Sequence, residues 1–326
     1  MSWCGLLNVH KPAALTSRQV VDHIQRLVHP AKVGHAGTLD PLATGVLLVC
    51  VGPATRLISR VQEGRKRYVG RFRLGQRSDT EDIDGEVVAG GDWSGVTRLQ
   101  LEQLLPEFVG SILQTPPQIS ALKVGGQRAY KLARRGHVVD LKPRPVEVFS
   151  LELTEFEPPE FELRVECGSG TYIRSLGRDI GERLGCGAVM STLCRTAIGR
   201  FRFEESVTLE ALNATTLPAM LVPPQAVLPE LPRRKLDPAE IVAVRQGRVL
   251  PRGAIIENES SPRVRSHGDD PRDAAPDDTV FSGEVVMLDA SGAMIGLALI
   301  DRLARCLRPT MVIPALRTEG LGKLTD

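Results

Sequence analysis

The twelve residues GHAGTLDPLATG, positions 34–45, place Gly34, His35, Gly37, Thr38, Pro41 and Gly45 around a single carboxylate, Asp40. Pro41 biases the Asp40 backbone toward an extended conformation, and the glycines let another backbone or a ligand come close. The apolar run 46–51 follows at once and reads as a buried strand. A carboxylate held in a tight turn at the edge of such a strand can be presented rigidly to a cleft, as a nucleophile or a general base. An Asp before Pro is also a common turn or cap residue, so the segment alone leaves both readings open. It is not a Walker loop, which ends in Gly-Lys-Ser/Thr.

Two further segments carry charge of one sign. Residues 56–77 hold eight Arg or Lys against Glu63, and 123–144 hold seven against Asp140, in a chain of net charge only +2. Such segments suit a polyanion, although solvated surface charge gives the same pattern. The six cysteines are scattered with no CxxC pair, which argues against zinc and a disulfide framework and for reduced thiols. No apolar run approaches the roughly 20 residues of a membrane span, and the N-terminal residues lack signal-peptide character.

The elements that must position Asp40 can be read from pattern. Residues 16–28 form an amphipathic helix with Thr16 and Gln19 as a capping box. Residues 45–52 form the buried strand. RYVGRFRLG alternates, and its arginine face is expected to meet phosphate. SDTEDIDGEVV is an acidic hairpin turn at Asp84-Gly85, expected to be a solvated loop because the EF-hand spacing fails. Residues 97–108 suit a helix. The segment 115–136 starts extended at Pro116-Pro117, turns at Gly125-Gly126 and becomes helical through Ala129, Leu132 and Ala133. VEVFSLELTEFE and FELRVEC are strands. Residues 168–185 are a glycine-rich turn and a helix with Ile173, Leu176, Ile180 and Leu184 inward and Gly185 at its end. Hairpins outnumber βα alternations, so the class is α+β with a mixed, largely antiparallel sheet flanked by helices. The Pro-rich stretch 217–232 reads as a boundary with few crossing contacts, dividing a unit 1–230 from a smaller β-rich unit 231–326. Within the latter, 257–278 lacks large apolar residues and reads as a disordered insertion.

Five blocks together resemble the TruB family of tRNA pseudouridine synthases: LLNVHKPAALTS, VGHAGTLDPLATGVLLVCVGPATRL, KRYVGRFRLGQRSDTEDIDGEV, QTPPQISALKVGGQRAYKLARRG and GSGTYIRSLGRDIGERLG. They span the first two-thirds of the chain, and the C-terminal unit resembles the family's PUA-like RNA-binding domain. The resemblance implies the pseudouridine synthase fold and isomerisation of uridine 55 in the TΨC loop, with Asp40 as the catalytic aspartate. It implies that His35 contacts the flipped nucleotide and that Tyr68 stacks on the base and helps remove the C5 proton. Tyr172 and Arg174 then line the pocket, with Arg174 paired to Asp40, and Leu193 forms an apolar wall. Lys11-Pro12 resembles the family's Lys-Pro motif, with Ala14 where Gly often stands, and Lys11 is expected to support backbone.

The reaction exchanges an N1–C1′ bond for a C5–C1′ bond without water or redox change, so no cofactor or metal is expected. The partner implied is the T-arm of tRNA, met by a cytoplasmic, monomeric protein without membrane or guide RNA. Two competing readings share the same features: a tRNA-binding or tRNA-folding protein with secondary catalysis, and a guide-RNA-dependent enzyme of the dyskerin type.

Overall fold

The computed structural model describes residues 3–120, 123–124, 127–128, 140–253, 255, 283–301 and 304–314. The helical reading through Ala129, Leu132 and Ala133, and the insertion at 257–278, lie outside them.

Nine strands form the main sheet: β1 (Gly5–Lys11), β2 (Val33–His35), β3 (Thr44–Val51), β4 (Lys66–Leu74), β7 (Gly110–Gln114), β10 (Arg144–Glu157), β11 (Glu160–Cys167), β12 (Ala188–Ile198) and β13 (Phe201–Arg202). The order is β1-β3-β12-β4-β11-β10-β7, with β2 on β3 and β13 on β12. Every pairing is antiparallel except the short contact of β3 with β12, where Thr44 faces Cys194 and Gly45 faces Arg195. Strands β5 (Gln76–Ser78) and β6 (Val87–Ala89) make a small hairpin, as do β8 (Lys123–Val124) and β9 (Gln127–Arg128).

Helix α1 (Ser17–Val28) begins at the capping box of Thr16 and Gln19 and buries Val20, Ile24 and Val28 against Leu7, Val9, Leu47 and Val49. Short α2 (Ile58–Glu63) precedes β4, and α3 (Arg98–Leu104) continues as a tighter turn to Phe108. Helix α4 (Ile173–Arg183) lays Ile173, Leu176 and Ile180 on Phe72, Leu163 and Val165. It sits very close to the sheet. A Cβ on Gly177 would come 2.2 Å from the Phe72 ring, and one on Gly181 would come 2.2 Å from the Ala188 nitrogen. Glycine is required at both places because no side chain fits there.

Strand β12, at the centre of the sheet, is an element that sequence pattern does not reveal. AVMSTLCRTAI does not alternate cleanly, because a register shift between Met190 and Thr192 breaks its period. The arginines of β4 also differ from expectation. Arg67, Arg71 and Arg73 stand opposite Glu166, Glu162 and Glu160 of β11 and pair with them at 3.3, 3.1 and 3.3 Å. Arg77 pairs with Glu182 at 2.8 Å. These cations are matched by carboxylates rather than held free for phosphate.

A second, five-stranded sheet contains β14 (Arg233–Lys235), β15 (Leu250–Pro251), β16 (Glu284–Leu288), β17 (Met294–Asp301) and β18 (Cys306–Val312), in the order β14-β16-β17-β18-β15. Helix α5 (Pro238–Arg245) accompanies it, capped by Asp237 with Glu240. The two sheets are not loosely joined. Leu57 and Leu228 pack with Val286, Leu288, Met294, Leu297 and Ile313 in one buried cluster. Arg60 also donates to Glu284 at 2.5 Å. The expectation of few contacts across 217–232 therefore fails: the apolar β16 and β17 side chains need a partner on their second face, and the first unit supplies it.

Candidate active site

The loop bearing Asp40 is tied down from below. Lys11, fully buried at the end of β1, donates from Nζ to the carbonyls of Pro12, Leu15 and Pro41 at 2.8, 2.6 and 3.2 Å. Its role is to hold backbone, as expected. Burial pushes its ammonium down to about 8, against the opposing pull of Asp40. The Ala14 N–H reaches the Pro41 carbonyl at 2.9 Å, from a left-handed backbone at φ +65°. Glycine is the easier residue there, so Ala14 holds the turn under mild strain. Ser17, at the start of α1, bonds Leu39 through both backbone groups.

Above the loop lies a cleft of about 480 Å³. Asp40, Tyr68, Tyr172, Arg174 and Leu193 all line it, from the loop, β4, the start of α4, α4 and β12. His35 lies outside that lining, on β2 opposite Val49. Five of the six residues singled out in the sequence thus converge, although 153 positions separate Asp40 from Leu193.

The closest charged contact is between Arg174 and Asp40. Nε stands 2.9 Å from Oδ2, and Nη2 donates to Oδ1 at 3.1 Å. Arg174 is 4% exposed, and the Asp40 side chain keeps 34% open to the cleft. Nη1 donates to the Thr80 carbonyl at 2.6 Å, and Nη2 also donates to the Ile119 carbonyl at 3.0 Å. Burial pushes the Asp40 carboxyl up. Arg174 pulls it back, and the charge of Asp82 pushes it up again.

Asp82 belongs to the acidic turn that sequence reading assigned to solvent. It is buried, 3.6 Å from Arg174, and holds the Thr80 hydroxyl and the Asp84 N–H on Oδ1 at 2.5 and 3.1 Å. Its neighbour Glu81 is also buried, accepting from Ser175 at 2.6 Å and pairing with Arg178. The correction has a simple cause: the hairpin β5–β6 folds its tip onto α4, whose cations at 174 and 178 need acids. The clue in the sequence was the repeated Arg at that four-residue spacing.

Tyr68 faces into the cleft, 8% exposed, and burial raises its phenol. Its ring centre is 6.0 Å from the Arg195 guanidinium. Tyr172 is fixed through its backbone: its N–H donates to Gln114 Oε1 at 2.8 Å, and its carbonyl accepts from Gln114 Nε2 at 3.0 Å. Arg144 crosses its ring at 5.2 Å. Lys66, Arg195 and Ser120 also line the cleft; the sequence marks Lys66 only as part of a basic run and does not mark the other two, because burial of a Lys or Arg has no signature there. Among the described residues there is no cluster of three or more His, Cys, Asp or Glu able to hold a metal, and no helix is long and apolar enough to cross a membrane.

Residues 25–173 match the N-terminal domain of the TruB family pseudouridylate synthases, and residues 174–240 match the tRNA pseudouridylate synthase B C-terminal domain. A protein of Synechococcus sp. (strain CC9311) named tRNA pseudouridine synthase B is 38% identical over 318 residues, covering 95% of this chain and 98% of its own length. One of the same name from Azoarcus sp. (strain BH72) is 43% identical over 249 residues, covering 76% of this chain and 83% of its own. Among solved structures, that of a Cbf5-Nop10-Gar1 complex superposes with a TM-score of 0.66 at 26% identity, covering 95% of this chain and 84% of that one.

Proposed function

Because the chain belongs to the TruB family of pseudouridylate synthases, we propose that it isomerises uridine 55 of the tRNA TΨC loop to pseudouridine, with Asp40 as the catalytic carboxylate. Its activity is that of a tRNA pseudouridine synthase, on an α+β pseudouridine synthase fold with a β-rich C-terminal region. The observation that carries the residue assignment is the two-point contact of Arg174 with Asp40, in a cleft whose other side is the ring of Tyr68.

The chemistry follows from that arrangement. The target base is stacked inside a folded loop, and turning it out costs a few kcal/mol. Stacking on Tyr68 returns part of this, since a base on an aromatic ring is worth about 1–3 kcal/mol. Leu193 and Tyr172 close the apolar sides, and His35, at the start of the loop, is proposed to contact the flipped nucleotide. Asp40 must be ionised to act. Burial opposes this, and the Arg174 guanidinium offsets it. Attack at C1′, addition at C6 and removal of a sugar proton all need that same ionised carboxylate. One carboxylate suffices, because the uracil leaves as a stabilised anion and stays bound for recapture. The Tyr68 hydroxyl is proposed to assist the closing loss of the C5 proton.

The unit 231–326 is proposed to be a PUA-like RNA-binding domain appended to a catalytic unit 1–230, meeting tRNA beyond the T-arm. The Synechococcus relative named tRNA pseudouridine synthase B, matched over 98% of its own length, supports action without a guide RNA. The test is incubation of the purified protein with an unmodified tRNA transcript alone, followed by mapping of pseudouridine. Modification at position 55, lost in Asp40→Asn while tRNA affinity stays within a few-fold, is the expected result. An unmodified transcript bound tightly by the wild-type protein would instead leave the RNA-binding and RNA-folding reading.

A further inference from the structure

Two buried cations in the cleft have no counter-charge among the described residues. Lys66 is 6% exposed and Arg195 1% exposed, and neither forms an ion pair with any described residue. Their hydrogen bonds go to neutral oxygens. The Lys66 ammonium reaches the Gln62 carbonyl. Arg195 donates from Nε to Val46 O at 2.7 Å and from Nη2 to Gly37 O at 3.0 Å. Arg174, by contrast, lies against both Asp40 and Asp82. The cleft therefore has a compensated side at Asp40 and an uncompensated positive side at Tyr68.

An unpaired buried charge is costly and is kept only where something repays it. The two cations are neighbours across adjacent strands: Lys66 pairs in register with Ile198, and Tyr68 pairs with Arg195. Their mutual repulsion is felt, since burial first and Arg195 second push the Lys66 ammonium down to about 8. The Ser120 hydroxyl, buried in the same cleft, also has no hydrogen-bond partner among the described residues.

We propose that Lys66 and Arg195 form an anion subsite that takes up the negative charge of the uracil ring while it is detached from the ribose. The proposal rests on the isomerase reading above. When the N1–C1′ bond breaks, its electron pair leaves with the ring, which becomes an anion. A C5–C1′ bond then forms, C5 loses its proton and N1 gains one, so neither oxidant nor reductant is consumed. The charge exists only between the two bond changes. A cation placed for it stabilises the intermediate and the flanking transition states more than the bound uridine. The site favours a ring anion over a phosphate because Arg195 lies against the Tyr68 ring, on which the base stacks, and not at the solvent rim.

The experiment compares wild type, Lys66→Met and Arg195→Gln in single-turnover reactions at saturating enzyme. Two tRNAs are used, one carrying uridine and one carrying 5-fluorouridine at the target position. Loss of the N1-linked nucleoside is followed by nuclease digestion and mass spectrometry. Fluorine withdraws electron density, so its ring anion needs less help. Each variant should slow the uridine reaction by about 100-fold, as for loss of one oxyanion donor, with tRNA affinity unchanged. The deficit should shrink on 5-fluorouridine. Unchanged rates overturn the subsite, as do equal deficits on both substrates, which mark a structural role. Loss confined to affinity would assign the cations to a phosphate and also overturn it. If Arg195→Gln does not fold, Lys66→Met, which keeps chain length and removes the buried charge with its bond to the Gln62 carbonyl, decides alone. A wild-type protein that leaves the uridine unrearranged defeats the isomerase reading instead, so the two failures are distinct.

Discussion

Ser17 and Leu39 are joined twice: the Ser17 hydroxyl accepts the Leu39 N–H at 2.8 Å and donates to the Leu39 carbonyl at 3.0 Å. Both groups are buried, one residue from Asp40. Ser17→Ala leaves a donor and an acceptor unpaired in the interior, at a cost of about 1–3 kcal/mol. Urea unfolding should show that loss. The single-turnover rate should fall by about tenfold, because a shift of about 1 Å in a positioned group is that damaging or worse. A variant that is less stable but fully active would mean the loop holds Asp40 without this link.

The pH dependence follows from the Asp40 carboxyl, which burial holds above its ordinary value of about 3.9. The role proposed for Asp40 needs the ionised form, so the rate should fall on acidification at a pH above that value. Stability responds with the opposite sense. A raised folded pKa means the native state holds the proton more tightly. This group's contribution to stability is thus full below the unfolded pKa and is lost as pH rises through the folded one. Asp82→Asn removes one upward push and should move the acidic limb to lower pH. A wild-type limb at the ordinary aspartate position would contradict the argument.

Tyr68→Phe keeps the ring and removes the hydroxyl. Stacking and tRNA affinity should persist while turnover falls sharply, and Tyr68→Leu should lose stacking as well. Tritium release from C5-labelled uridine measures turnover, and binding titrations measure affinity. Equal activity in all three proteins would place Tyr68 outside the reaction.

Truncation after residue 231 removes the second sheet and uncovers Leu57 and Leu228. The shortened protein should be less stable and aggregate, and Leu57→Gln with Leu228→Gln should restore solubility. Once soluble, it should still modify an isolated T-arm stem-loop. Full-length tRNA binding should lose salt dependence by about 0.7–0.9 in log–log slope per lost phosphate contact. Identical slopes for the two proteins would show that the second sheet does not touch tRNA.

Turn chemistry and local caps were readable because they depend on neighbours in the chain: the Asp40 loop, the Thr16–Gln19 box and Gly185, at φ +79°, ending α4. The residues that converge with Asp40 were legible only through five motifs in a familiar order. What stayed hidden depends on register. The neutralisation of Arg67, Arg71 and Arg73 requires knowing that β11 lies beside β4 with glutamates opposite. The burial of Asp82 requires the hairpin to fold back on α4. Lys66 reads only as part of a basic run, and Arg195 carries no signal, until β12 is found between β3 and β4.

Gly177 and Gly181 leave no gap between α4 and the sheet beneath it. A helix seated that closely cannot rock to admit a ligand, and it carries Arg174, which in turn grips Asp40. The adjustment on meeting a substrate therefore falls on the RNA. Selection becomes partly mechanical: among loops of similar sequence, those that surrender one base at the least cost in unstacking will enter. A protein built this way is expected to discriminate by how readily its substrate yields as well as by the edges it displays.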